Sequence, residues 1–177
     1  MVFYSTKTMD QDMKSNFTLT STSFSNDHAI PSKHAYIGCG GKNISPQLSW
    51  SGAPAGTQSF ALIVDDPDAA PFHDGKTFYH WAIINIPASK KGLEEHALIS
   101  LPTIQLANDY GSDHKRYDGP CPPKGSDVHH YHFTIYALGQ DIPVGMTHTI
   151  ERLKAYLDDT SNTNVLGKAT LMGTYER

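Results

Sequence analysis

Asp66, His80 and His129 are the residues of this sequence best placed to do chemistry, because each opens or closes an apolar run and carries a group that titrates or hydrogen-bonds strongly. In FALIVDD, Asp66 continues the alternation of Phe60, Leu62 and Val64, which sets a carboxylate at the rim of a core. In FYHWAIIN, His80 shares a face with Phe78, Ala82 and Ile84. In HHYHFTIYA, His129, Tyr131, Phe133, Ile135 and Ala137 form one side, read as inward, and His130, His132, Thr134 and Tyr136 form the other. His130 and His132 therefore read as solvated surface. With Asp66 orienting an imidazole, His80 and His129 would offer N–H donors to an anion, and a histidine of ordinary pKa about 6.5 gains charge when phosphate arrives. A lone histidine on an apolar face is more often a hydrogen-bonded core residue, so the reading rests on the group.

Other chemistries use the same residues. Imidazole and carboxylate together also suit acid–base hydrolysis of a phosphoester or acyl substrate. Cys121 with His129 as base would make a thiol nucleophile, but the spacing gives no support to it and Cys121 reads as a small wall residue. Ten histidines and nearby acids include metal-ligand types, yet HExxH is absent and neither a metal nor another cofactor is expected.

Two stiff loops must position the group. DDPDAAPFHDG, Asp65 to Gly75, follows a buried strand, and its Pro67 and Pro71 push Asp66 and Ala70 away from helical backbone. YDGPCPPKG, Tyr117 to Gly125, forms a rigid wall that leads into the strand at His129. The clear strands are 60–64, 78–86 and 129–138, and their spacing suggests an antiparallel sandwich. One helix is convincing: Thr147 caps it and Ile150, Leu153 and Leu157 share a face that packs across a sheet. Residues 1–16 read as a loose tail, and 17–177 as a single domain, since 177 residues suffice for one core.

Composition narrows the partners. A formal charge of -4, with no Lys/Arg cluster to offset it, excludes nucleic acid. No apolar run long enough to span a bilayer occurs, so membrane contact is peripheral at most. The first residues lack the pattern of a secretory signal, which points to the cytoplasm, or to a periplasmic or secreted location if a leader was removed. On the same ground Cys39 and Cys121 are expected to be reduced.

Seven pieces in order carry a resemblance: GKNISPQLSW (41–50), DDPDAAP (65–71), HWAIINIP (80–87), NDYG (108–111), YDGPCPP (117–123), HHYHFTIYAL (129–138) and LMGTY (171–175). Together the sequence from Phe17 to Arg177 resembles the phosphatidylethanolamine-binding proteins, which include the Raf kinase inhibitor protein and its bacterial relatives. The resemblance implies a mainly β fold, a single-domain β-sandwich with a large central antiparallel sheet, a smaller sheet, one or two flanking C-terminal helices and a small anion pocket at one end. By motif, Asp66, Asp68, His80, Gly119, Pro122, Pro123, His129 and Tyr131 would form the pocket. It would accept phosphate, phosphorylated headgroups or small carboxylates in a non-enzymatic binding or regulatory protein, in a family whose better-studied members regulate kinases by protein contact. A protein partner and a homodimer fit the same reading. Three positions depart from the family pattern: His130 replaces the Arg of HRY, Ala70 delays a proline to Pro71, and Asn164 stands at a C-terminal position often held by His, where a changed pocket rim is expected.

Overall fold

The three apolar runs form the middle of a six-stranded sheet in the computed structural model, which describes residues 16–145 and 149–177. The strands are β1 (Thr18–Thr20), β2 (His28–Ala29), β3 (Leu48–Ser51), β4 (Ser59–Asp66), β5 (Phe78–Pro87), β6 (Gly92–Leu93), β7 (Ile104–Gln105), β8 (His129–Leu138) and β9 (Val165–Tyr175), with one α-helix, α1 (Ile150–Asp158), before β9. The large sheet has the order β2-β9-β8-β4-β5-β7 and the small one β1-β3-β6. Every pairing is antiparallel except the two-residue β2, which lies parallel to β9.

Two apolar layers explain why β4 is a continuous run instead of an alternating one. Phe60, Leu62 and Val64 meet Leu19, Leu48 and Trp50 of the small sheet, whereas Ala61 and Ile63 on the opposite face lie under Ile150, Leu153 and Leu157 of α1. A strand buried on both faces has no polar side, and all eight residues of β4 are buried. Each large aliphatic or aromatic side chain so buried contributes about 1.5–3 kcal/mol. The helix face expected from the sequence is the one that packs. Its N-cap is Thr149, whose hydroxyl accepts from Arg152 N–H at 3.3 Å, while Thr147 lies outside the described residues, as do residues 1–15 of the expected tail.

Several expectations need correction. The long strand β9 was legible only at LMGTY, because Gly167 and Gly173 interrupt its apolar pattern. Both glycines are set by close packing: a Cβ at Gly173 would lie 2.5 Å from Ile30 and one at Gly167 2.9 Å from Pro54. Ala70 sits inside a 3-10 helix, Pro67–Phe72, despite the proline that follows it. The Asp66 side chain caps that turn and outweighs the local preference. Cys39 and Cys121 are joined in a disulfide, Cα–Cα 5.7 Å, and not reduced. Asn164 lies beside Gln140 beyond the Leu138 end of β8, at the opposite end of the sheet from His129, so it forms no part of a rim around the His129 end.

Candidate functional site

Strand β5 carries the least expected piece of local structure. Val64 of β4 pairs with Trp81, and the next residue, Asp65, pairs with Tyr79, so His80 is the extra residue of a β-bulge. Simple alternation puts His80 with Ala82 and Ile84, which belong to the layer under α1. The bulge turns it instead to the side of Trp81 and Ile83, where it joins Asp66, His129 and Tyr131.

These four residues line a cavity of about 200 Å³ at the end of the sandwich, closed on one side by Pro122 and Pro123 and on the other by Phe72, Phe78 and Tyr110. Asp66 is its organising residue. Oδ2 accepts a 2.7 Å bond from Nδ1 of His129, and Oδ1 accepts from the N–H groups of Asp68 and Ala69 at 3.0 and 3.2 Å. One carboxylate therefore starts the 3-10 turn and fixes the tautomer and tilt of His129. His80 is held from the other side, since its Nδ1 donates to the backbone carbonyl of Asp118 at 2.8 Å. Burial lowers the pKa of this ring below the ordinary histidine value, so it stays neutral and is not the charged donor expected from the sequence. The Tyr131 hydroxyl is buried close to the Asp66 carboxylate without forming a well-aligned hydrogen bond to it; burial, with the Asp66 charge beside it, raises its pKa and keeps it protonated.

The loop that carries the wall is anchored by Asp118, a fully buried carboxylate. It accepts from Asn43 and Asn108 amides at 2.7 and 2.8 Å, from His114 Nδ1 at 2.8 Å and from Arg116 Nε at 3.2 Å. Burial alone would raise its pKa, but these four bonds hold it low. Gly119, expected in the pocket, does not line it: its N–H donates to Asn43, its carbonyl accepts from the Tyr110 hydroxyl, and a Cβ there would lie 1.8 Å from the His34 carbonyl. Asp68 is also turned away. Its Oδ2 accepts from the backbone N–H and Nδ1 of His130 at 2.8 and 2.7 Å, which clips the 3-10 turn to the start of β8.

Matching the chain against protein families finds one described as phosphatidylethanolamine-binding protein, over residues 20–176. The chain belongs to that family. A UPF0098 protein of Methanothermobacter thermautotrophicus is 41% identical over 165 residues, which are 90% of this chain and 98% of that protein. The UPF0098 protein YbcL of Escherichia coli is 37% identical over 169 residues, 90% of this chain and 87% of its own. The crystal structure of YbcL, described as a new member of the mammalian PEBP family, matches with a TM-score of 0.78 at 34% identity, over 91% of this chain and 98% of the other.

In this member of the family, the departure at His130 has a structural answer, because His130 itself pairs with an acid, Asp68, and neither it nor His132 is simply solvated. His132 lies 3.4 Å from the Asp65 carboxylate. Six of the eight residues carried over by motif line the cavity, and five others that line it, Ala69, Phe72, His73, Phe78 and Tyr110, were not singled out. Phe78 alone had a signal, its shared face with His80. Cys121 lines the cavity as half of the disulfide, and Arg177 donates to the sulfurs of both Cys39 and Cys121 at its edge. A disulfide has no thiol to attack a substrate, which removes the Cys121–His129 nucleophile from consideration.

Proposed function

We propose that this protein is a non-enzymatic binding or regulatory protein whose cavity takes a small oxyanion, a phosphate or phosphorylated group in the first place. The observation that carries the reading is the Tyr131 hydroxyl, a protonated donor buried in the cavity wall beside the Asp66 carboxylate and making no well-formed hydrogen bond within the protein. Buried polar groups are normally satisfied, and one left open in a lined cavity calls for a ligand or water oxygen. His129, held in place by Asp66, is a second polar side chain in the cavity wall. The cavity volume suits a phosphate-sized group and leaves little room for a whole lipid. Hydrolysis is the weaker reading, because the cavity wall offers no activated nucleophile: Cys121 is oxidised and Tyr131 is held protonated. The disulfide favours an oxidising compartment over the cytoplasm. Among the described residues no helix is long and apolar enough to cross a membrane.

Asp66→Asn tests the reading. If Asp66 only repelled the anion, the neutral variant would bind inorganic phosphate more tightly. If it orients His129, binding weakens by about tenfold, the scale of one charge-assisted hydrogen bond of roughly 1.5–3 kcal/mol. Titration calorimetry on a variant shown to be folded decides between them, and tighter binding overturns the role given to Asp66.

A further inference from the structure

We propose that the Cys39–Cys121 disulfide is a thiol-exchange site at the edge of the cavity, and that its reduction by a dithiol weakens anion binding. The inference rests on the anion-binding reading of the same cavity and adds its control. The wall that carries Cys121 changes character at that residue. Residues 117–120 are buried and tied down: the Asp118 carboxylate holds its donors, the Gly119 carbonyl accepts from the Tyr110 hydroxyl at 3.1 Å, and the Pro120 carbonyl accepts from the Tyr36 N–H at 3.0 Å. From Cys121 to Gly125 the chain is held differently. Pro122 and Pro123 have no N–H to donate. Among the described residues, the bonds that link this stretch to distant parts of the chain are the disulfide, the Arg177 guanidinium on its sulfurs, and the Gly125 N–H on the Arg177 carbonyl at 3.0 Å. Across the disulfide, Cys39 ends the 3-10 turn Ile37–Cys39, which buries none of its residues and whose backbone bonds are local, Cys39 N–H to the Tyr36 carbonyl and Gly40 N–H to the Ile37 carbonyl. The disulfide therefore fastens one lightly held stretch to another, and Pro122 and Pro123, which close the cavity, follow directly from it.

The same contacts set the direction of exchange. Cys39 sits between the exposed Gly38 and Gly40, where an incoming thiolate has room, whereas Cys121 lies between two prolines and lines the cavity. A thiolate of the dithiol attacks Sγ of Cys39 and forms a new S–S bond to it, while the Cys39–Cys121 bond breaks and leaves its electron pair on Sγ of Cys121. Arg177, which donates to both sulfurs, stabilises that thiolate. The second thiolate of the reductant then attacks its own bound sulfur and expels Cys39 as a thiolate. The dithiol leaves as a disulfide, having given up two electrons to the cysteine sulfurs and two protons to them or to solvent. Reduction acts on the anion in two ways. It frees the wall at Pro122 and Pro123, and it puts negative charge on a sulfur that lines the cavity along with Asp66, where no Lys or Arg is among the lining residues. In an oxidising compartment the joined form, which binds, is the resting one.

Titration calorimetry with inorganic phosphate, on the oxidised protein and on protein reduced with dithiothreitol under argon, reads the coupling, and a thiol assay confirms that both of the 2 cysteines are free. Affinity is expected to fall about tenfold on reduction and to return on reoxidation. A Cys39→Ser, Cys121→Ser double variant is expected to bind phosphate with an affinity that dithiothreitol does not change. Arg177→Gln is expected to slow reduction by about threefold or more, since the departing thiolate loses its partner, and an unchanged rate overturns the part given to Arg177. Loss of the sheet signal in circular dichroism on reduction overturns a local fastening, as does a disulfide that dithiothreitol leaves intact in the folded protein. Equal or tighter binding by the reduced form, with both thiols free, overturns this inference and leaves the anion-binding reading in place, whereas binding by neither form overturns both.

Discussion

Asp118 has no contact with the cavity through its side chain, yet the residue holds the histidine that does. Its carbonyl fixes His80, and its carboxylate collects donors from three separate stretches of chain, at Asn43, at Asn108 and at His114 with Arg116. Replacing it with Asn turns an amide N–H₂ toward these donors, of which Asn43 and Asn108 keep only their bonds to backbone carbonyls. Asp118→Asn is therefore expected to cost about 3 kcal/mol or more, in the range of a broken buried charge network. Urea unfolding followed by tryptophan fluorescence measures it, and a loss below about 1 kcal/mol would contradict the account. At this scale the sequence showed Asp66, His129 and Tyr131 well, because they sit on strands where alternation assigns a face. Asp118 was hidden in plain view. A carboxylate between Tyr117 and Gly119 in a proline-rich loop looks like turn chemistry; His114 and Arg116 are near it in sequence, but Asn108 and Asn43, 10 and 75 residues away, are not joined to it by any local pattern.

The elements that mount the cavity are two strands of ordinary geometry, one strand with an inserted residue and one loop pressed against its neighbour. The loop has no slack at Gly119, where a methyl group would strike the His34 carbonyl. Gly119→Ala is expected to destabilise the fold by about 1–3 kcal/mol, the usual cost of overpacking, and to weaken phosphate binding as Pro122 and Pro123 shift. Thermal unfolding and calorimetry on the same sample check both, and an unchanged Tm would show that the approach relaxes freely. The bulge at His80 could not be read from the sequence, since counting by twos assumes that no residue is inserted. The resemblance grouped His80 with Asp66, His129 and Tyr131, beside which it lines the cavity, while alternation put it with Ala82 and Ile84 of the other layer. Strands β4, β5 and β8 were legible because they are long and apolar. Strand β9 was not, because the residues that make it fit, Gly167 and Gly173, are those that usually break a strand.

Across the whole molecule, buried histidines tie stability to pH. His34 is fully buried, its Nδ1 donates to the Ile44 carbonyl at 2.7 Å and its Nε2 has no hydrogen-bond partner. Burial lowers the pKa of both His34 and His80. Such groups give stability that is present above the unfolded pKa of about 6.5 and lost as pH falls toward the folded value, because only the unfolded chain readily takes up the proton. His132 has the opposite sign. The Asp65 carboxylate raises its pKa, so its contribution is present below about 6.5 and lost as pH rises through the folded value. Scanning calorimetry is expected to show Tm falling between about pH 7 and about pH 5, with His132→Asn making the fall steeper. A Tm that is flat across this range, or a shallower fall in the variant, would refute the assignment. The strand order also sets a timetable for synthesis. Asp66 leaves the ribosome well before His129, and the outer edge of β8 then stays open until β9 follows, so at about 5–20 residues per second the completed sheet trails Asp66 by roughly 5–20 s. During that interval the half-built protein shows an unpaired edge strand ending at the future binding cavity, which makes the nascent chain, more than the finished one, the form that needs a chaperone.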